Sequence, residues 1–118
     1  MKILILEDDR FRAQFFIERF GDKELTITEN AWAAIDHLKK EAFDFIFLDN
    51  DLGMDNGEGQ DLAKFLQDNP DNQNNHTNII IHSWNTVAVR EMKACLPLAI
   101  IAPFDVKFFN DLDLTSLN

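Results

Sequence analysis

Cysteine is nearly missing: Cys95 stands alone among 118 residues, so no internal disulfide can form, and the chain suits a reducing compartment, which points to the cytoplasm. Glycine and proline are sparse, four and three, and no stretch reads as a linker between domains. No apolar run approaches the roughly 18 residues of a membrane span. Ile3 to Leu6 is too short for a signal-peptide core before Glu7, Asp8 and Asp9 interrupt it. Basic residues are also few, eleven against twenty-one acids, and the net charge of −10 repels phosphate backbones and argues against general nucleic-acid binding. A phosphate ligand would have to be held by a local device such as a cation.

What is present is an ordinary globular balance, 46% hydrophobic and 27% charged, at a length that predicts one domain over residues 1–118. A chain of this size buries about two thirds of its extended surface, enough for a core without disulfide or structural metal. Lys2 to Leu6 is an apolar, β-branched start. Asp8 or Asp9 can cap a helix whose Phe11, Phe15, Phe16 and Phe20 form an apolar stripe ended by Gly21. Glu24 to Thr28 alternates like an edge strand, and Asn30 can cap a helix with Ala31, Ala34, Ile35 and Leu38 at helical spacing. Phe43 to Leu48 is nearly all apolar, as a strand covered on both faces must be, and it runs into Asp49, Asn50 and Asp51.

A loop from Gly53 to Gly59 leads to a third helix on Leu62, Ala63, Phe65 and Leu66, halted near Asn69-Pro70. After the asparagine-rich stretch Asp68 to Asn78 comes a fourth strand, Ile79 to Ile81. Ser83 or Asn85 can cap a fourth helix through Ala88, Met92, Cys95 and Leu96. Leu98 to Ile101 reads as the fifth strand, and Phe104 to Asn118 holds one short final helix.

Strands alternating with helices imply a parallel sheet covered on both faces. Ligands in such α/β sheets sit beyond the carboxyl ends of the strands, and for the order 2-1-3-4-5 the crevice lies between strands one and three. The asparagine-rich loop, with His76, then falls at the opposite end, in solvent. At the crevice Glu7, Asp8 and Asp9 leave the first strand and Asp49 and Asp51 leave the third, on neighbours about 4.8 Å apart. Two carboxylates about 5 Å apart repel by roughly 3 kcal/mol at an effective dielectric near 20. A hard divalent cation, Mg²⁺ or Mn²⁺, would neutralise them and take phosphate oxygens as further ligands. Helix capping accounts for one of these acids but leaves the others uncompensated.

The segments MKILILEDD (Met1 to Asp9), FIFLDND (Phe45 to Asp51), IIIHS (Ile79 to Ser83) and IAPFD (Ile101 to Asp105) resemble the strand ends of CheY-like response-regulator receiver domains, in order and over nearly the whole chain. The resemblance implies a three-layer doubly wound, flavodoxin-like fold with five parallel strands in the order 2-1-3-4-5. It implies that Asp8, Asp9 and Asp49 hold Mg²⁺ with the main-chain carbonyl of Asp51, and that Ser83 contacts a phosphoryl group. A phosphorylatable Asp49 and a histidine kinase or effector as partner belong to the same implication. Receivers carry a lysine before the proline of the fifth strand, whereas Ala102 precedes Pro103 here. Lys107 is a candidate substitute, although a lysine on a short terminal helix is ordinarily solvated.

His82-Ser83-Trp84-Asn85, taken with Leu48 to Gly53, is similar to a divergent receiver-like group inferred to process cyclic phosphates, which also lacks the lysine. That group commonly has a histidine where Asn50 stands, which leaves His82 as the candidate acid or base beside Asp49. The likeness implies a metal-dependent hydrolase for a phosphate-bearing small molecule or an RNA end. His82 has two readings, a proton donor to a leaving alkoxide or a buried hydrogen-bond donor to a carboxylate. Asn85 can cap the fourth helix or touch phosphate, and Arg12 can reach phosphate or face solvent on the first helix. Trp84 can pack over the site or serve a partner surface.

Overall fold

The computed structural model describes residues 1–117, so the end of the C-terminal segment, Asn118, lies outside the described residues. Five strands, β1 (Lys2–Leu6), β2 (Glu24–Thr28), β3 (Phe45–Leu48), β4 (Asn78–Ile81) and β5 (Ile100–Ile101), alternate with helices α1 (Arg10–Phe20), α2 (Ala31–Lys40), α3 (Gly59–Asp68), α4 (Thr86–Cys95) and α5 (Val106–Asp111). A 3₁₀ turn, Leu114–Leu117, follows. All strand pairs are parallel and the order is β2-β1-β3-β4-β5. Among the described residues no helix is long and apolar enough to cross a membrane.

Side chains alternate across a strand, and here that alternation makes two cores from one set of apolar runs. Leu4 and Leu6 of β1, Ile46 and Leu48 of β3, and Ile79 and Ile81 of β4 meet α2, α3 and α4. Ile3, Ile5, Phe45, Phe47 and Ile80 point the other way, onto Phe16 and Phe20 of α1 and Phe109 of α5. Phe16 sits at the centre of this second core. Its ring lies 5.2 Å from Phe47, 5.3 Å from Phe109, 5.6 Å from Phe104 and 5.3 Å from the imidazole of His82, all edge-on. Edge-to-face pairs of this kind add about 1 kcal/mol each beyond their buried area.

Three expectations shift at their edges. Phe11 is 66% exposed rather than core, and its ring meets Phe104 edge-on at 6.5 Å at the margin of the phenylalanine cluster. Strand β5 begins at Ile100 rather than Leu98, since a turn after the helix, closed by Ala99 N–H on the Leu96 carbonyl, delays pairing and leaves Leu98 in solvent. Strand β3 begins at Phe45 rather than Phe43, whose N–H is instead taken by Asn74 Oδ1 at 2.8 Å.

That last bond shows what the asparagine-rich loop is for. Asn74 is fully buried, and its amide also donates to the carbonyls of Leu38 (3.1 Å) and Glu41 (2.9 Å), carbonyls at the end of α2 that the helix cannot satisfy itself. His76, as expected, is exposed. Asn74→Ala should therefore lower the unfolding free energy by about 3 kcal/mol in urea titration, while His76→Ala leaves it within about 0.5 kcal/mol of wild type.

Candidate functional site

The sheet ladder continues past the strand ends and carries the site residues with it. Glu7 N–H bonds Thr28 O (3.0 Å), Asp49 N–H bonds Leu6 O (3.1 Å), His82 N–H bonds Leu48 O (3.0 Å) and Phe104 N–H bonds His82 O (2.9 Å). Glu7, Asp49 and His82 thus sit side by side just past the ends of β1, β3 and β4, all buried, with ligand-type atoms within 4.8 Å of one another. Gly59 opens α3 directly over the Asp49 carbonyl, where any Cβ would overlap main chain, and its N–H bonds Asn50 O at 3.0 Å. Glycine is required there by close approach.

Glu7 is the centre of the network. Its Oε1 accepts from Arg12 Nε and His82 Nε2, both at 2.9 Å; its Oε2 accepts from the N–H groups of Asp8 and Asp9 at 3.0 Å and from Arg12 Nη2 at 3.3 Å. Burial pushes this carboxyl up, but His82, the backbone N–H groups and Arg12 overcome it and hold Glu7 down at about 2. His82 is enclosed, and burial pushes its imidazole below the ordinary value despite the pull of Glu7. An ionised Glu7 can only accept, so Nε2 carries the proton donated to it, while Nδ1 is buried without a hydrogen-bond partner.

Asp49 has the opposite fate. Its Oδ1 accepts Asn50 N–H at 2.8 Å, but Oδ2 is buried without a hydrogen bond, its nearest cation being Arg12 Nη2 at 3.5 Å. Burial and the charge of Glu7 push Asp49 up to about 7, with Asn50 and Arg12 pulling back. At an effective dielectric near 20 an ion pair at 3.5 Å is worth roughly 5 kcal/mol, more than the repulsion expected between the two carboxylates. Part of the neutralisation that the sequence demanded of a metal is therefore internal, and it comes from Arg12.

The other predicted residues divide. Asp9 is exposed and caps α1, its Oδ1 accepting Arg12 N–H at 2.9 Å. Asp8 is half-buried beside Gly53, and burial with the neighbouring Glu7 raises its carboxyl. Asp51 is exposed and accepts from the side chains of Asn50 (3.1 Å) and Asn85 (3.3 Å). Asn85 caps α4 through Ala88 N–H at 3.0 Å, and Ser83 Oγ accepts Asn85 N–H at 3.0 Å. Asn50 is a buried clamp, its Oδ1 accepting Gln60 N–H at 3.1 Å at the start of α3. Lys107 pairs with Asp111 on exposed α5 and takes no part, while Ala102 is buried in the phenylalanine core. Glu7 appeared in the sequence only as one of several acids; the signal that sets it apart, its place as the last inward-facing position after β1, is visible once Asp9 is read as the cap.

The donors suit a hard cation. Glu7 is saturated, but Asp49 Oδ2 is a buried oxygen without a hydrogen bond, within 4.8 Å of ligand-type atoms of Glu7 and His82. The acidic cluster is compatible with a divalent metal ion.

Known structures agree with this fold. The phosphorylated cyanobacterial phytochrome response regulator RcpA superposes with a TM-score of 0.76 at 14% identity, covering 92% of this chain and 88% of that one. A response-regulator receiver domain from Rhodospirillum rubrum gives 0.75 at 16% identity over 99% and 94%. The Mn²⁺-bound form of the response regulator Rcp1 gives 0.71 at 19% identity over 92% and 88%. No curated protein matches in sequence. Strand order and acidic strand ends thus define a receiver domain. The chain belongs, more narrowly, to the cyclic-phosphate processing receiver domain family, whose model matches residues 2–97.

The two carboxyl shifts set opposite pH dependences in metal-free protein. Asp49, raised from 3.8 to about 7, contributes stability that is complete below 3.8 and lost as pH rises through 7. Glu7, lowered from 4.5 to about 2, contributes stability present above 4.5 and lost as pH falls toward 2. In chelator, Asp49→Asn should be more stable than wild type at pH 8, by a margin on the order of 4 kcal/mol that shrinks toward pH 4. Chemical denaturation across that range checks it; a margin independent of pH would contradict the shift.

Proposed function

We propose that this domain binds Mg²⁺ or Mn²⁺ together with a phosphate ester and hydrolyses a cyclic phosphate. The observation that carries the reading is a cation relocated within the site: the position of the receiver lysine is a buried alanine, Ala102, while Arg12 is hydrogen-bonded to Glu7 and reaches to within 3.5 Å of Asp49. Membership of the cyclic-phosphate processing family supports the same conclusion. The Mn²⁺ in the Rcp1 structure belongs to a protein of the same fold and supports the choice of metal.

Asp8, Asp49 and the Asp51 carbonyl would hold the cation, which when bound polarises the phosphorus and lowers the pKa of a water. Hydrolysis of a cyclic diester forms one P–O bond to the water oxygen and breaks one P–O bond of the ring, and the water proton ends on the departing alkoxide. Arg12 offers N–H groups to the phosphate oxygens as negative charge grows on them. The Ser83 hydroxyl and the N-terminus of the ten-residue α4 lie on the same side and favour an anion. His82 acts through Glu7: its Nε2–H holds the carboxylate that holds Arg12, which makes it a positioning residue. A net charge of −10 favours a nucleoside cyclic phosphate, or an RNA end delivered by a partner, over long RNA.

The alternative, phosphorylation of Asp49 for signalling to a kinase or effector, is favoured by the fold and disfavoured by Ala102. Purified protein with Mg²⁺ and 2′,3′-cyclic nucleotides should give turnover that falls at least about 100-fold in Arg12→Ala and Asp49→Asn. His82→Ala should lose activity with little change in KM. No turnover in wild type, with an acetyl-phosphate adduct seen by intact mass and missing in Asp49→Asn, would transfer the assignment to signalling.

A further inference from the structure

Arg12 serves two carboxylates unequally. Its Nε makes a short charge-assisted bond of 2.9 Å to Glu7 Oε1, whereas one amino group, Nη2, is shared at longer range between Glu7 Oε2 at 3.3 Å and Asp49 Oδ2 at 3.5 Å. The Arg12 side chain is 26% exposed, while that of Glu7 is enclosed. One edge of the guanidinium is therefore fixed on Glu7, and the other is loosely held next to solvent and Asp49. Asp49 Oδ2 has no hydrogen bond, so this loose edge is the nearby cation that compensates it.

We infer that the loose edge of Arg12 couples anion binding to cation binding: a tetrahedral oxyanion draws Nη2 away from Asp49 Oδ2, and the oxygen so released takes a divalent cation. Each ligand then raises the affinity for the other by the same factor, because coupling between two sites is reciprocal. The inference rests on the divalent-cation reading above, and it adds an order to that site. Metal alone must compete with a resident guanidinium, and an anion alone faces the charge of Asp8 and Asp49. Arginine suits this task where lysine does not, since its planar fork can keep one N–H on Glu7 while it hands another to a ligand.

Calorimetric titration of Mn²⁺ into the intact protein tests it, in sulfate and in chloride at matched ionic strength; sulfate is a tetrahedral oxyanion that cannot be hydrolysed. Sulfate should tighten Mn²⁺ binding to wild type about tenfold. Arg12→Gln should bind Mn²⁺ about tenfold more tightly than wild type in chloride and show no sulfate effect. If Arg12→Gln fails to fold, Arg12→Lys keeps a positive charge, and its sulfate effect should shrink to roughly twofold or less. Mn²⁺ affinity indifferent to sulfate in wild type, or Arg12→Gln binding no more tightly, overturns the coupling while leaving metal binding intact. Silence of wild type in both buffers overturns the coupling and the metal reading together.

Discussion

A carboxylate at the end of a central strand is the constraint from which the site follows. Burying an ionised carboxylate costs several kcal/mol even after local relaxation, and only close, well-aimed donors offset it. Glu7 receives five: two N–H groups of the turn that follows β1, two nitrogens of Arg12 and one of His82. Those donors lie on three elements, so the demand of one side chain fixes the entry of α1, the rotamer of an arginine and the tautomer of a histidine at once. Asp49, next to it, then inherits the unfavourable half of the pair. Two like charges this close cannot both be well solvated, and Asp49 keeps one N–H donor, that of Asn50, against the five on Glu7.

The loss of the fifth-strand lysine belongs to the same economy of charge. Ala102 is buried, and Phe104 beyond it packs against Phe11, Phe15, Phe16 and Phe109. A long cation at position 102 would start from within this aromatic packing. The guanidinium comes instead from the neighbouring helix α1, 5.9 Å from the Phe104 ring. The positive charge that faces Asp49 is thus supplied by the helix after β1 instead of the loop after β5.

Much of this was legible in the chain because it rests on local rules. Continuous apolar runs, one alternating edge strand and capping residues such as Asn30, Asn85 and Asp9 located the strands and helix starts, and strand order located the crevice. Arg12 was harder, since a charged residue on the first turn of an amphipathic helix reads more readily as solvated. What turns it inward is the cap: Asp9 starts the helix at Arg10, so the third residue of the first turn folds back over the end of β1. Asn50 read as a missing histidine, yet it is a buried clamp between the β3 end and α3, a role that needs an amide offering both a donor and an acceptor. Asn74 could not be recognised among its neighbours, because only the three-dimensional closure of α2 onto the loop distinguishes it.

Charge counting shows what the proposed site would require in so acidic a protein. With His82 neutral, ionised Glu7, Asp49 and Asp8 against Arg12 leave the cluster two units negative, and a dication brings it to zero. An arriving phosphate diester then carries the assembly only one unit negative. Without the guanidinium the same steps would begin at three and end at two, and the anion would enter a site that already repelled it. On the proposed reading Arg12 would let a pocket built of acids accept a negatively charged ligand, and its hold on Glu7 keeps it in place.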